Sequence, residues 1–100
     1  MIKTGIGITQ LTFENGYTLS ITNGFGSYSE NRFNFELASP NCKAEDIAIS
    51  TNCEIAIINP QEEFCTSEYL QCSDDVKAYV NIDELPDIIS MVKNIWMQSN

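Results

Sequence analysis

Residues 23–32, NGFGSYSENR, contain the residue types in this sequence that are best suited to ligand binding. Two glycines two positions apart let backbone N–H groups approach an anion, an arginine can clamp it, and a tyrosine can stack on a base. The pair lacks the helix that follows in a dinucleotide site, and the same glycines would also serve a tight strand connection with positive φ. Both interpretations stay open. The predicted ligand-binding residues are Gly24, Gly26, Tyr28, Asn31 and Arg32.

Carboxylates are the second candidate group, because the chain has 14 Asp and Glu against 5 Lys and Arg and a formal net charge of -9. The excess of negative charge lies entirely in residues 36–100, because acidic and basic residues cancel in residues 1–35. A field of this sign repels nucleic acid and anionic membranes and favours a basic partner, so we expect no direct binding to either. Simple solubility is the alternative. The predicted partner-binding acidic surface consists of Glu62, Glu63, Asp74 and Asp75.

The absence of histidine removes the usual activation of serine and cysteine nucleophiles and most transition-metal sites. The cysteines, Cys42, Cys53, Cys65 and Cys72, do not form the C-x-x-C pairs of a zinc site. Neither a Walker-type loop nor an EF-hand loop occurs. We therefore predict no catalytic residue, no metal and no cofactor, and we do not expect an enzyme. Cys53, which opens the apolar run CEIAII, is predicted to be a core residue.

The first residues, MIKTGIGITQ, lack the apolar run of a signal peptide, and no segment approaches the roughly 20 apolar residues of a membrane span. The sequence therefore predicts a cytoplasmic protein with reduced thiols.

A β-hairpin around Asn15-Gly16 is the strongest structural signal. A two-residue loop would place the apolar residues of the two strands on opposite faces. A three-residue loop, residues 14–16, pairs Phe13 with Tyr17 and Leu11 with Leu19 and gathers them on one face, with Gly16 in the left-handed position of a bulge. One buried face requires one register, so we predict the three-residue loop.

Further strands are predicted by short apolar or alternating runs on either side of this hairpin. We expect residues 1–9 to be an extended segment, with the first strand beginning near Ile6, and residues 59–62 to form a turn. The stretch 67–75 is predicted to be a loop. The predicted strands are 32–38, 47–49, 53–58, 64–66 and 76–80.

The C-terminal segment predicts an amphipathic helix capped by Asp83. Its apolar stripe consists of Leu85, Ile88, Ile89, Val92, Ile95 and Trp96. Packing this stripe on a sheet gives an α+β fold, with an antiparallel sheet of about five or six strands and one C-terminal helix on one face, in a single domain of residues 1–100.

Three runs, LTFENGYTLSITNGFGSYSENR, CEIAIINPQEEF and VNIDELPDIISMVKNIW, resemble a group of small proteins encoded by bacteriophages and prophages. Those proteins open with an NGYT or NGWT hairpin followed by a G-x-G-x-Y-x-x-N-R-like segment. The resemblance spans roughly residues 9–97 and its motifs are structural. It implies a phage-encoded accessory protein in the host bacterial cytosol.

The expected function is inhibition by binding, with a host protein that has a basic surface as the target, for example a factor of anti-phage defence. One alternative is a protein that sequesters a small ligand or nucleotide around residues 24–32. A structural or assembly role is another. A homodimer is compatible with each, because a small sheet leaves edges to be covered.

Overall fold

The computed structural model describes residues 1–5, 7–34 and 50–96. Within them, five strands form one antiparallel sheet whose spatial order follows the sequence. A short helix lies between the last two strands, and a 3₁₀ turn leads into the C-terminal helix, which packs on the sheet. The elements are β1 (Ile2–Gly5), β2 (Ile8–Thr12), β3 (Thr18–Thr22), β4 (Asn52–Ile58), α1 (Thr66–Tyr69), β5 (Lys77–Asn81), the 3₁₀ turn (Ile82–Glu84) and α2 (Leu85–Lys93). The predicted α+β class is confirmed.

The hairpin between β2 and β3 has the predicted three-residue loop. Leu11 lies opposite Leu19, and the Phe13 N–H donates to the Tyr17 carbonyl at 2.9 Å. Gly16 has φ of 85°, the left-handed conformation that a bulge of this kind requires. Leu19 is fully buried, and Phe13 and Tyr17 pack against the same core. The requirement for a single buried face therefore identified the correct register.

The N-terminal prediction is wrong in one respect, because residues before Ile6 already belong to the sheet. β1 pairs with β2, with Ile2 opposite Leu11, and the N-terminal ammonium group donates to the Thr12 carbonyl at 2.7 Å. Gly7, with φ of 75°, lies in the turn between these strands, and β2 begins at Ile8. Ile6 itself lies outside the described residues. The sequence pattern did not predict this hairpin, because its strands are only four and five residues long and glycines interrupt the apolar alternation.

The strand predicted at 32–38 does not begin where the alternation begins. Arg32 and Phe33 lie in turns, which are closed by hydrogen bonds from the Arg32 N–H to the Ser29 carbonyl at 3.1 Å and from the Asn34 N–H to the Asn31 carbonyl at 3.1 Å. The remainder of that strand and the run 47–49 lie outside the described residues. Local hydrogen bonding in a serine- and asparagine-rich stretch has overridden the alternation.

Around β4 the predictions are largely confirmed. β4 covers the predicted run 53–58, the turn after it is closed by the Glu62 N–H donating to the Asn59 carbonyl at 2.9 Å, and β5 covers most of 76–80. The predicted strand at 64–66 is reduced to a single bridge between Phe64 and Ile58. The first part of the predicted loop 67–75 is helical instead, because α1 begins at Thr66.

The C-terminal helix starts differently from the prediction. Asn81, not Asp83, provides the cap: its side chain accepts from the Asp83 N–H at 2.9 Å, while the Glu84 carboxylate accepts from the Asn81 N–H at 3.0 Å. This capping box precedes a 3₁₀ turn, so helical structure begins earlier than the apolar stripe. The helix ends at Lys93, so that Trp96 lies beyond it and is 87% exposed. The prediction that Trp96 belongs to the buried stripe is therefore wrong, whereas the helix itself packs on the sheet as predicted.

The core lies between α2 and one face of the sheet. Val92 of α2 is fully buried together with Ile55 and Ile57 of β4. Cys53 is only 4% exposed, which confirms it as a core residue. The buried cluster is Leu19, Cys53, Ile55, Ile57, Cys65, Val80, Ile88 and Val92.

The hairpin loop also terminates the helix. The Asn15 side-chain amide donates to the carbonyls of Val92 and Ile95, both at 2.9 Å, while its oxygen accepts from the Tyr17 N–H at 3.0 Å. Carbonyls in the last turn of a helix have no partner within the helix, so a donor placed there stabilises the helix end. One side chain therefore shapes the hairpin turn and caps α2.

Substitutions at this position provide the first test. We expect Asn15→Ala to lower the free energy of unfolding by about 1–2 kcal/mol, since two partly buried carbonyls lose their donor. Asn15→Asp should cost more than Asn15→Ala, although Asp normally suits such turns, because it brings a negative charge to the negative end of the helix dipole. Urea unfolding measures both. Glu14→Gln in the same turn is the control, with an expected change below about 0.5 kcal/mol. An Asp variant as stable as wild type would contradict the capping role.

Candidate functional site

The structure brings the five predicted ligand-binding residues together in one loop, residues 23–34, which we call the glycine loop. It leaves the sheet after β3 and closes on itself. The Gly26 N–H donates to the Arg32 carbonyl at 3.0 Å, and the Asn31 side-chain amide donates to the Asn23 carbonyl at 2.9 Å. Gly26 has φ of 82°, as the strand-connection interpretation required of a glycine here.

Two buried serines, which sequence reasoning did not single out, form the centre of the glycine loop. The Ser27 hydroxyl donates to the Gly24 carbonyl at 2.6 Å and lies 2.8 Å from the Ser29 hydroxyl. Because a hydroxyl has one proton, Ser29 must donate to Ser27, and its own oxygen accepts from the Asn31 N–H at 3.2 Å. The S-x-S spacing was the available signal in the sequence.

The backbone N–H groups that could bind an anion are largely engaged within the protein. Those of Gly26, Ser27 and Ser29 donate to loop carbonyls. The Tyr28 N–H donates to the Glu54 carboxylate at 3.1 Å, so a protein carboxylate already occupies an anion position beside the loop. The nucleotide-binding hypothesis stays a prediction, and this arrangement does not favour it.

Arg32 and Tyr28 interact with one another in the glycine loop. The Arg32 guanidinium carbon lies 4.1 Å from the centre of the Tyr28 ring and 5.6 Å from that of Phe33. The guanidinium also donates to the Gly26 carbonyl at 3.4 Å. A cation held over an aromatic ring in this way rigidifies the loop surface, so the predicted arginine clamp and base-stacking tyrosine stabilise each other.

Carboxylates attach the glycine loop to the sheet. The Glu30 N–H donates to the Asn52 side chain at 2.8 Å, and the Glu30 carboxylate accepts from both the N–H and the hydroxyl of Thr51. These hydrogen bonds lower the pKa of Glu30 below its ordinary value. At β5, where a bulge places Tyr79 at φ of 52°, the Tyr79 N–H donates to the Tyr28 carbonyl at 2.9 Å.

The four predicted acidic residues lie between β4 and β5, in residues 59–76, which we call the acidic segment; its Asp74 shares a groove with Tyr28 of the glycine loop. It contains five carboxylates and neither lysine nor arginine. Phe64 and Tyr69 are exposed among them. The acidic residues, all exposed, are Glu62, Glu63, Glu68, Asp74 and Asp75.

Thr66 holds the acidic segment in place. Its hydroxyl accepts from the Ile57 N–H at 2.8 Å and donates to the Asp75 carbonyl at 2.6 Å. The Cys65 N–H donates to the Ile57 carbonyl at 2.8 Å. The turn before Phe64 is closed by Asn59, whose side-chain oxygen accepts from the N–H groups of Gln61 and Glu63. Both acidic pairs are thus carried by ordered loops between β4 and β5.

A groove of 690 Å³ lies between the acidic segment and the C-terminal helix, and we call it the tyrosine groove. Tyr17 and Tyr69 meet there edge to face, with ring centres 6.2 Å apart and hydroxyl oxygens 3.4 Å apart. This hydrogen bond raises the pKa of Tyr69 to about 12. The groove is lined by Tyr17, Tyr69, Asp87, Ser90, Met91, Asn94, Ile95 and Trp96. Sequence reasoning missed it, because its residues come from separate elements.

Burial determines the chemistry of the core cysteines. It raises the pKa of the Cys53 thiol to about 11 and also raises the pKa of Cys65. The neutral thiol of Cys53 accordingly lies against the Val80 carbonyl at 3.6 Å. In residues 1–5, 7–34 and 50–96, no group of three or more His, Cys, Asp or Glu side chains converges as metal ligands do.

Within the described part of the chain, every helix is too short or too polar to cross a membrane. In comparisons with known proteins, no family model matches the chain, and no curated protein or solved structure shows significant similarity to it.

Substitutions of Gly7 and Gly26, which have similar positive φ angles, test whether the glycine loop packs closely against the β1–β2 turn. A Cβ at Gly26 would meet open space, so Gly26→Ala should cost about 1 kcal/mol, the price of a left-handed alanine. A Cβ at Gly7 would lie 2.6 Å from the Gly24 Cα, a backbone atom that cannot rotate away. We expect Gly7→Ala to lower the free energy of unfolding, measured in urea, by at least twice as much as Gly26→Ala. Equal losses would contradict the close approach of the two loops.

A second test uses pH. Because the pKa of Glu30 is lowered in the folded state, its contribution to stability is present above the ordinary value of 4.5 and is lost as pH falls through the folded pKa. Wild type should therefore be more stable than Glu30→Gln near neutral pH, and the difference should shrink below pH 4.5. Thermal unfolding between pH 7 and pH 3 measures it. Glu14→Gln, at an exposed turn, is the matched charge-removing variant for comparison. A constant difference for Glu30→Gln would contradict the assigned role.

Proposed function

We propose that this protein acts by binding, with the acidic segment docking on the basic surface of another protein. The observation that carries the proposal is the composition and placement of that segment. Its 18 residues contain five exposed carboxylates, no lysine or arginine, and the exposed rings of Phe64 and Tyr69. Aromatic residues are enriched at protein interfaces, and Tyr is enriched among the few residues that dominate their binding energy, while rim charges set specificity and association rate.

Rigidity supports the proposal. Thr66 and Asn59 fix the loops on either side of α1 through short hydrogen bonds, so that few residues need to be ordered when a partner binds. A preorganised surface loses less conformational entropy on association than a flexible acidic tail would. This order distinguishes the acidic segment from a flexible run of solubilising charge and supports the proposal.

A second observation in support is that only some of the carboxylates hold neighbouring segments of the backbone. Glu30 and Glu54 accept hydrogen bonds from the backbone of neighbouring segments at the start of β4. The side chains of Glu62 and Asp75 project from exposed loops between β4 and β5. Together with the net charge of -9, this produces a strongly negative surface that would accelerate association with a basic partner.

The resemblance to small phage-encoded proteins supports a biological setting for this binding. In that setting the protein would be an accessory factor in the host bacterial cytosol. It would occupy the basic, nucleic-acid-binding surface of a host protein and inhibit it, with factors of anti-phage defence as candidate targets. Charge competition of this kind requires neither a cofactor nor a catalytic residue.

Retention of host proteins on the immobilised chain tests the proposal. Glu62→Gln with Glu63→Gln should release basic proteins that wild type retains at about 0.1 M salt, where charges interact over about 10 Å. Retention by wild type should fall steeply as salt rises toward 1 M. The matched control is Glu14→Gln with Asp83→Asn, which removes the same charge from exposed positions outside the acidic segment.

Selective loss with the first pair supports a docking surface in the acidic segment. Equal loss with both pairs would mean that only net charge matters. Retention that is indifferent to salt would contradict a charge-based interaction altogether.

A further inference from the structure

We infer that the tyrosine groove receives the side chain of a lysine or arginine from the basic partner. This inference rests on the proposed function and names the contact that would anchor it. The groove has aromatic walls from Tyr17, Tyr69 and Trp96, and one carboxylate, that of Asp87. Aromatic rings attract cations through their negative faces, and a carboxylate adds a direct ionic partner.

The composition of the groove distinguishes a cation from other occupants. None of its described lining residues is lysine or arginine, and the chain as a whole carries a charge of -9, so an anion is disfavoured. A purely apolar occupant would leave the Asp87 carboxylate desolvated without a partner. A lysine or arginine side chain matches both features, because its alkyl stem can contact Met91 and Ile95 while its charged end reaches the carboxylate.

No lysine or arginine of the described residues lines the tyrosine groove. Lys93 lines an adjoining groove of 420 Å³, which shares Asn94, Ile95 and Trp96 with the tyrosine groove, but Lys93 does not line the tyrosine groove itself. Arg32 stacks on Tyr28 in the glycine loop. The cation that the tyrosine groove suits therefore comes from outside the described chain.

The groove is also preorganised and adjoins the acidic segment. Tyr17 directly precedes β3, Tyr69 ends α1, and Asp87 and Met91 lie on α2, so ordered elements hold its walls. The Tyr17–Tyr69 hydrogen bond fixes two of the rings. Tyr69 follows Glu68 directly, so a basic surface docked on the acidic segment would lie beside the groove. Trp96, 87% exposed, is available to close over an inserted side chain.

Titration of the full chain with a lysine analogue tests the inference. The probe is Nα-acetyl-lysine methylamide, and the isosteric neutral control is Nα-acetyl-norleucine methylamide at matched ionic strength. Trp96 is the only tryptophan, so its indole NMR signal and its fluorescence report on the groove directly. We expect saturable shifts of the Trp96 indole signal with the lysine probe, and with its arginine counterpart, at millimolar concentrations and none with norleucine.

Variants localise the site. Asp87→Asn and Tyr69→Leu should each weaken binding of the lysine probe by about fivefold or more, as expected for loss of one ionic or one cation–aromatic contact. Asp83→Asn makes the same charge change outside the groove and should leave the affinity unchanged. Circular dichroism confirms that the variants remain folded.

The outcomes separate this inference from the proposed function. Absence of any Trp96 shift up to 50 mM probe (a limit of about −2 kcal/mol in binding free energy), or equal shifts with norleucine, would overturn the inference. Selective release by Glu62→Gln with Glu63→Gln would then still support docking on the acidic segment. Conversely, lysine binding in the groove together with equal loss by both charge pairs would keep the groove and overturn the acidic docking surface.

Discussion

The contact between Asn15 and the end of α2 joins the two parts of the molecule on which everything else depends. Its amide reaches the carbonyls of Val92 and Ile95, residues almost the whole length of the chain away. A nine-residue helix is marginal on its own, so α2 needs its buried face and a satisfied C-terminal end. Tyr17 lies two residues after Asn15 and Ile95 accepts the Asn15 amide, so this contact joins two segments that line the tyrosine groove.

The acidic side chains before and after β4 differ in their hydrogen bonding. At its start, the carboxylates of Glu30 and Glu54 receive backbone N–H groups and hold the glycine loop against the sheet. At its end, Thr66 organises a segment whose carboxylates remain exposed. Structural carboxylates lose some of their availability to an external cation because their lone pairs are already used. In the acidic segment only Glu63 and Asp74 accept such bonds among the contacts described, both within the segment, so under the proposed function this segment would attract a basic partner more strongly.

The hairpin, the α+β class and β4 could be predicted because each depends on one dominant local constraint. A single buried face selects the register of Leu11 against Leu19, and the apolar run 53–58 requires a central strand. The β1 hairpin, the turns at Arg32 and the helix at Thr66 were missed. In each case glycine conformation or side-chain hydrogen bonds outweigh the hydrophobic pattern, and these bonds depend on tertiary neighbours such as Ile57 and Asp75. The residues of the glycine loop were grouped correctly, but their mutual bonding was not visible in the sequence.

Trp96 shows why the tyrosine groove lay beyond sequence reasoning. It follows Val92 by four positions and continues the apolar stripe, so the pattern assigns it to the buried face. The helix instead ends at Lys93, with Asn15 bound to its last carbonyls, and the ring turns out into solvent. Burying roughly 200 Å² of such a ring is worth about 5 kcal/mol at about 25 cal/mol per Å². A fold that forgoes this stabilisation in the free chain can recover it on association. The contact with Asn15 that completes the helix therefore also leaves the Trp96 ring exposed.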